Sequence, residues 1–290
     1  MSLFPVTGTE VGAAMMAEAD RATLRQAVKF LEHRSLATRL SLVFGRQISL
    51  VGKMLPAQLS EVVDKTAERA IRMGLAAAVN SLDQKRGDDR RIWHKAAATV
   101  SGAAGGAFGI ASLPIELPIS TLLMLRSIAA IARTEGENLA KTETALACLE
   151  VFALGSQENG EHGAQASAST EGGYFALRAL LAQSVTEAAR FIVERGVIEE
   201  SAPVMLRFVS QVATRFGLVV SQKVAAQAVP FLGAAGGAAI NYAFIDHFQA
   251  LARGHFIVRR LERIYGADLV RTEFDAARQE VSDAAAASRA

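Results

Sequence analysis

One cysteine, Cys148, is all that the 290 residues contain, so no internal disulfide can form and a reducing compartment fits. The CxxC, CxxH and HExxH spacings are absent, so the expectation is no metal and no cofactor. There is no GxSxG, no GK[ST] ending after a glycine loop and no GxGxxG after a strand, so the sequence offers no catalytic residue to name. Aromatic residues make up only 6% and prolines number six, and no stretch alternates apolar with polar residues as a half-buried strand does. The formal charge of +2 is too small for a global attraction to nucleic acid, and none is expected as a partner. The N-terminus lacks a basic stretch followed by an apolar one, so it reads as a flexible leader over residues 1–20 rather than a secretory signal.

What is abundant is alanine, leucine and valine in helical spacing. Hydrophobic residues reach 51%, and that mixture favours helix. Leu24, Val28 and Leu31 mark a first helix; Ser35 caps a segment striped by Leu36, Leu40 and Val43/Phe44. Leu59, Val62/Val63, Ala70/Ile71, Leu75, Ala78/Val79 and Leu82 form one face of the clearest helix, with Glu61, Asp64, Lys65, Glu68 and Arg69 opposite. Asp83 to Arg91 reads as a solvated loop or, with Trp93 beside it, as a collar at headgroup level. Thr142 opens a helix striped by Ala145, Cys148, Leu149 and Phe152 and ending near Gly155. Off that stripe Glu150 reads as a surface acid, and Cys148 on it as a small core residue. Further helices are expected from Gly173 to Gly196, from Pro203 to Val224 and from Pro230 to Tyr265. The fold class is therefore all-α: a multi-helix bundle with two Gly/Ala-rich hydrophobic helical hairpins. Residues 21–275 form a single helical domain with a mobile loop at 156–171, and 276–290 form a fraying tail.

The hairpins organise the chain. Ala96 to Ala132 reads as a small-residue helix, a corner between Pro114 and Pro118 with Glu116 at its tip, and a larger-residue helix. Val224 to Ile245 repeats its hexapeptide GAAGGA. Gly102/Gly106, Gly105/Gly109 and Gly233/Gly237 are spaced by four, which places glycines on one helix face and lets a neighbouring backbone approach. That spacing serves a helix pair in hydrocarbon or a tight crossing in water, and a homo-oligomer built on such faces is a further expectation.

Two groups of polar residues are candidates. Glu116, Arg126, Asn241, His247 and His255 could line a buried polar pocket, with Glu116 either capping the following helix or pairing with Arg126. On the last long helix Phe244, Phe248, Leu251, His255 and Val258 share a face, flanked by Asn241 and His247. Arg253, Arg259, Arg260 and Arg263 could contact lipid phosphate or an acidic partner.

The blocks LPIELPISTLLMLRSIAAIA, LACLEVFALG, GGYFALRALL and GAAGGAAINYAFIDHFQALARGHFIVRRLERIYG, in this order, resemble the signature blocks of the EcsC family, as does LEHRSLATRLSLVFG from Leu31 to Gly45. The resemblance spans Leu31 to Tyr265. It implies a bacterial helical protein, cytoplasmic or membrane-associated, from a family whose founding gene neighbours the subunits of an ABC transporter. It supplies no catalytic residues. Matched polar positions include Glu116, Arg126, Glu150, Arg178, Asn241, Asp246, His247, Arg253, His255 and Arg260. The expectation is a non-enzymatic helical protein on the cytoplasmic side of the cell membrane, peripheral or inserted, or in a transporter-linked membrane complex. The rival is a hydrolase-like or ligand-binding enzyme in which Glu116, His247 and His255 converge on a cavity.

Overall fold

The computed structural model describes residues 15–32, 36, 40, 57–83, 113–156, 173–196, 199, 201–227 and 233–287. Among them are eight helices and no strand: α1 (Glu18–Leu31), α2 (Ala57–Asp83), α3 (Leu113–Thr134), α4 (Thr142–Leu154), α5 (Gly173–Arg195), α6 (Pro203–Gln227), α7 (Gly233–Tyr265) and α8 (Ala267–Ala287). The all-α bundle read from the sequence is the fold. Gly102, Gly105, Gly106, Gly109, Trp93, Ser35 and the loop from 157 to 171 lie outside the described residues.

The bundle is built around the shortest of its described helices. In α4, TETALACLEVFAL, every residue from Thr144 to Leu154 is buried. A helix apolar all round must be enclosed on all sides, and α4 packs against α2, α3, α5, α6 and α7. Phe152 meets Phe216 of α6 and Phe248 of α7 with ring centroids 5.0 and 5.3 Å apart, distances at which aromatic pairs add to the burial. The enclosure also corrects the reading of Glu150. With no solvent face on α4, a residue off the stripe still points into protein, and Glu150 is 5% exposed.

The prolines of α3 give a second correction. The helix runs without a corner from Leu113 through both Pro114 and Pro118, and Glu116 lies in its first turn. Pro114 sits where the backbone N–H has no helical partner anyway. Pro118, one turn further, removes a single bond to the carbonyl of Pro114. Ser120 and Thr121 then fold their hydroxyls back onto the Leu117 carbonyl, at 3.0 and 2.8 Å. The apolar band of α5 is narrower than its sequence suggests: Tyr174, Leu181, Ala188, Ala189 and Ile192 are buried, but Leu180 is exposed.

On α7 the expected face, Phe244, Phe248, Leu251, His255 and Val258, is buried, and burial extends beyond it to Ile240, His247, Ala250, Ala252, Phe256, Ile257 and Leu261. α1 lies along α7 and α8, burying Leu24, Ala27, Val28 and Leu31. Gly266, with φ of 86°, separates α7 from α8, a left-handed conformation that glycine adopts without strain. The closest described approach of helix backbones at a glycine is Gly254 of α7 on α1. A Cβ there would stand 2.6 Å from Leu31 Cγ and 3.0 Å from the Ala27 carbonyl oxygen. At Gly237 a Cβ would meet nothing within 4 Å among the described residues.

These two glycines therefore respond oppositely to the same substitution. Gly254→Ala is expected to destabilise by about 1–3 kcal/mol through overpacking. Gly237→Ala is expected to stabilise by roughly 0.5–1 kcal/mol through helix propensity alone. Urea unfolding of the two variants checks the ordering.

Candidate functional site

The polar residues singled out in the sequence occupy three separate places along α7. Near its start, Asn241 accepts a hydrogen bond from Lys223 of α6 at 3.2 Å. Two turns on, His247 Nε2 donates to the Gly155 carbonyl at the end of α4, at 3.3 Å. His255 Nδ1 shares a hydrogen bond of 3.0 Å with the Tyr174 hydroxyl. At 1.5 Å per residue, Asn241 and His255 are about 21 Å apart along the helix. Glu116 joins the first of these places and not the other two, so Glu116, His247 and His255 do not meet at one cavity.

The first place is organised by a residue that sequence reasoning missed. The side chain of Lys223 is fully buried, and its Nζ donates to Glu116 Oε1 at 2.7 Å. It also lies 4.9 Å from the centroid of the Phe244 ring. An ammonium removed from water needs such partners, because an unpaired buried charge costs several kcal/mol. In sequence Lys223 ends a helix and reads as one more basic residue; its neighbours Val219, Val220 and Val224, all fully buried, were the available sign that it points inward. Arg126, three turns further along α3, is half-buried.

The second polar cluster surrounds α4 and also went unread. Arg178 of α5 makes a two-pronged bond to Glu262 of α7, 2.8 and 3.0 Å, the geometry that suits a guanidinium and a carboxylate. Its guanidinium lies 5.4 Å from the Tyr174 ring centroid. Arg259 and Arg263 of α7 both donate to Glu137, in the turn between α3 and α4, and Thr144 donates to the same carboxylate at 3.2 Å. Arg260 faces Glu135 at 3.3 Å. Three of the four arginines read as lipid contacts therefore hold this turn, while Arg253 is exposed.

Electrostatics differ sharply within the second cluster. Burial raises the Glu150 carboxyl to about 7, against the pull of Arg178 and Arg259. Burial, aided by the same two arginines, holds the His255 imidazole well below its ordinary 6.5, so it is neutral. Its Nε2 is buried with no hydrogen-bond partner among the described residues. Burial likewise pushes the Cys148 thiol up to about 12, which removes the thiolate character a reactive cysteine needs. Among the described residues no group of His, Cys, Asp and Glu is disposed to hold a metal ion.

Two experiments probe these clusters. Glu116→Gln leaves Lys223 buried without its counter-charge and is expected to cost about 2 kcal/mol, below the fully buried case because Glu116 is 20% exposed. The double variant Glu116→Leu/Lys223→Met should recover most of that loss in urea unfolding. The second experiment is a pH series. A carboxyl whose pKa is higher in the folded chain stabilises most below 4.5, and that contribution is lost as pH rises to about 7. A histidine whose folded pKa is depressed acts the other way, costing stability as pH falls below 6.5. The two slopes oppose each other between pH 5 and 6.5. Glu150→Gln should leave the histidine slope uncovered, making stability rise with pH there by about 1.4 kcal/mol per unit more than in the wild type.

No curated protein matches the chain, and no solved structure does. Residues 18–261, which run from the first turn of α1 almost to the end of α7, match the sequence profile of the EcsC protein family, and the chain belongs to that family.

Proposed function

We propose that the chain is a non-enzymatic helical protein that associates with the cytoplasmic face of the cell membrane, or with a membrane complex there, through the outer strip of α3. Among the described residues two helices are long and apolar enough to cross a membrane, α3 with mean hydropathy 1.6 and α6 with 1.3. Both also fit the core of a soluble bundle, so their outward faces decide between them. The less buried positions of α6 include Leu206 and Leu218 but set Arg207, Ser210, Thr214 and Arg215 between them, an apolar face interrupted by charged and polar residues. On α3 they include Pro114, Ile115, Ile119, Leu122, Leu123 and Ala130. That apolar strip is the observation that carries the proposal.

A surface position suits α3 better than a transmembrane one. Spanning would place Arg126 near mid-bilayer at about 2.5–3.5 kcal/mol. Lying in the interface lets its guanidinium reach headgroup phosphate from an apolar stem. Ile115, 66% exposed, and Tyr242, 72% exposed, flank Glu116 and Asn241 at the Lys223 end and extend the strip. The transporter link implied by the family resemblance makes a membrane complex the alternative destination of the same surface.

Flotation with vesicles of mixed anionic and zwitterionic phospholipid tests the reading. The full chain is expected to float, to be released by carbonate, and to lose binding several-fold in Ile115→Asp, with an unchanged helical circular dichroism spectrum. A wild-type chain that stays with the soluble fraction, both on vesicles and in native membrane fractionation, overturns it.

A further inference from the structure

The cluster around α4 has three carboxylates, Glu137, Glu150 and Glu262, and three guanidiniums, Arg178, Arg259 and Arg263, of which the last two bond to the same acid, Glu137. All three are already engaged, Arg178 with both oxygens of Glu262, and Arg259 and Arg263 with Glu137. Glu150 is the carboxylate left over, on a helix with no solvent face. The charges acting on it are Arg178 of α5 and Arg259 and Glu262 of α7; Tyr174 and His255, on the same two helices, are neutral. Beside the middle of α4 the contacts to α2, α3 and α6 are apolar: Leu149 and Leu125 of α3 both approach Gly74 of α2, and Phe216 of α6 meets Phe152 edge-on.

The two pairs are not equally easy to break. Glu262 has Arg178 as its ionic partner. Glu137 has Arg259, but also Arg263 and the Thr144 hydroxyl. If an ionised Glu150 draws a guanidinium toward itself, Arg259 can leave with Glu137 still held, whereas Arg178 would strand a buried carboxylate. Arg259 is also well placed for the exchange. Thr144, beside Glu137, and Glu150 lie about 9 Å apart along α4, a span over which a long, flexible arginine stem can redirect its head.

We propose that Glu150 is a proton-operated switch for the α3–α4 turn. With its carboxyl neutral, Arg259 clamps Glu137; with the carboxyl ionised, Arg259 turns inward to Glu150 and the turn is held by Arg263, the Thr144 hydroxyl and the Arg260–Glu135 pair. No net charge is then left unpaired in the core in either state. Proton release loosens the joint between α3 and α4 without unfolding either helix.

The turn carries its own reporters, the backbone amides of Glu135, Gly136 and Glu137, which bond to the Ile131, Arg133 and Ala132 carbonyls. Hydrogen exchange of these amides in the full chain, corrected for the intrinsic pH dependence, tests the switch. Their protection is expected to fall about five- to ten-fold between pH 6 and pH 8 in the wild type and to stay constant in Glu150→Gln. Constant protection in the wild type, or the same fall in Glu150→Gln, overturns the proposal. Carbon-13 NMR of glutamate carboxyls in the wild type makes the test independent of how that variant folds. A carboxyl titrating with the same midpoint as the protection change supports the switch, and none titrating between pH 6 and 8 overturns it.

Discussion

Five of the other seven described helices are arranged to enclose α4. Thirteen residues long, it is too short to be stable alone in water, and it holds its shape because five helices cover it. Enclosure of that kind excludes water from every side chain between Thr144 and Leu154, and it turns an ordinary glutamate in the middle of the helix into a constrained acid. The same residue on any peripheral helix of the fold would be solvated and unremarkable. Burial is thus both the source of stability, through the apolar residues from Ala145 to Leu154, and the source of the electrostatic tension at Glu150.

That tension explains where the arginines of α7 go. Arg259 and Arg263 sit four residues apart and so share a helix face, and both turn to the acid of the α3–α4 turn. Arg178 comes in from α5 to meet Glu262. Charges that an amphipathic projection assigns to solvent are instead gathered around a core helix, at distances where a guanidinium and a carboxylate satisfy each other. The cost of dehydrating them is offset only because nearly every one has a partner.

The fold was legible because its signal is repeated many times: Leu24, Val28 and Leu31, or Phe244, Phe248, Leu251 and Val258, state the helical period and the buried face together. The polar sites were legible only in fragments. Asn241 and Glu116 were recognisable as unusual, but their shared partner Lys223 lies over a hundred residues from Glu116 and carries no local mark beyond apolar neighbours. Glu150 was misread because a projection of one helix assumes that one side faces water. Whether a helix has such a side depends on how many others surround it, which is a property of the whole chain. The proline corner failed for a related reason: a proline early in a helix removes one bond, and the packing of α3 against α2, α4 and α7 outweighs that loss.

The position of α3 follows from these facts taken together. Its first turn is tied by Glu116 to Lys223, and the turn beyond its last residue is tied through Glu135 and Glu137 to Arg259, Arg260 and Arg263. Between those anchors its inner face, with Leu117, Met124, Leu125 and Ile128, is held by apolar packing, while its outer face has apolar residues and no acid beyond Glu116. Ionic contacts are directional and set where the two ends of the helix lie. Apolar packing is indifferent to whether the opposite face meets water, lipid or another helix. A helix fixed at both ends and greasy on its outer side can therefore exchange what covers that side while the bundle behind it keeps its form.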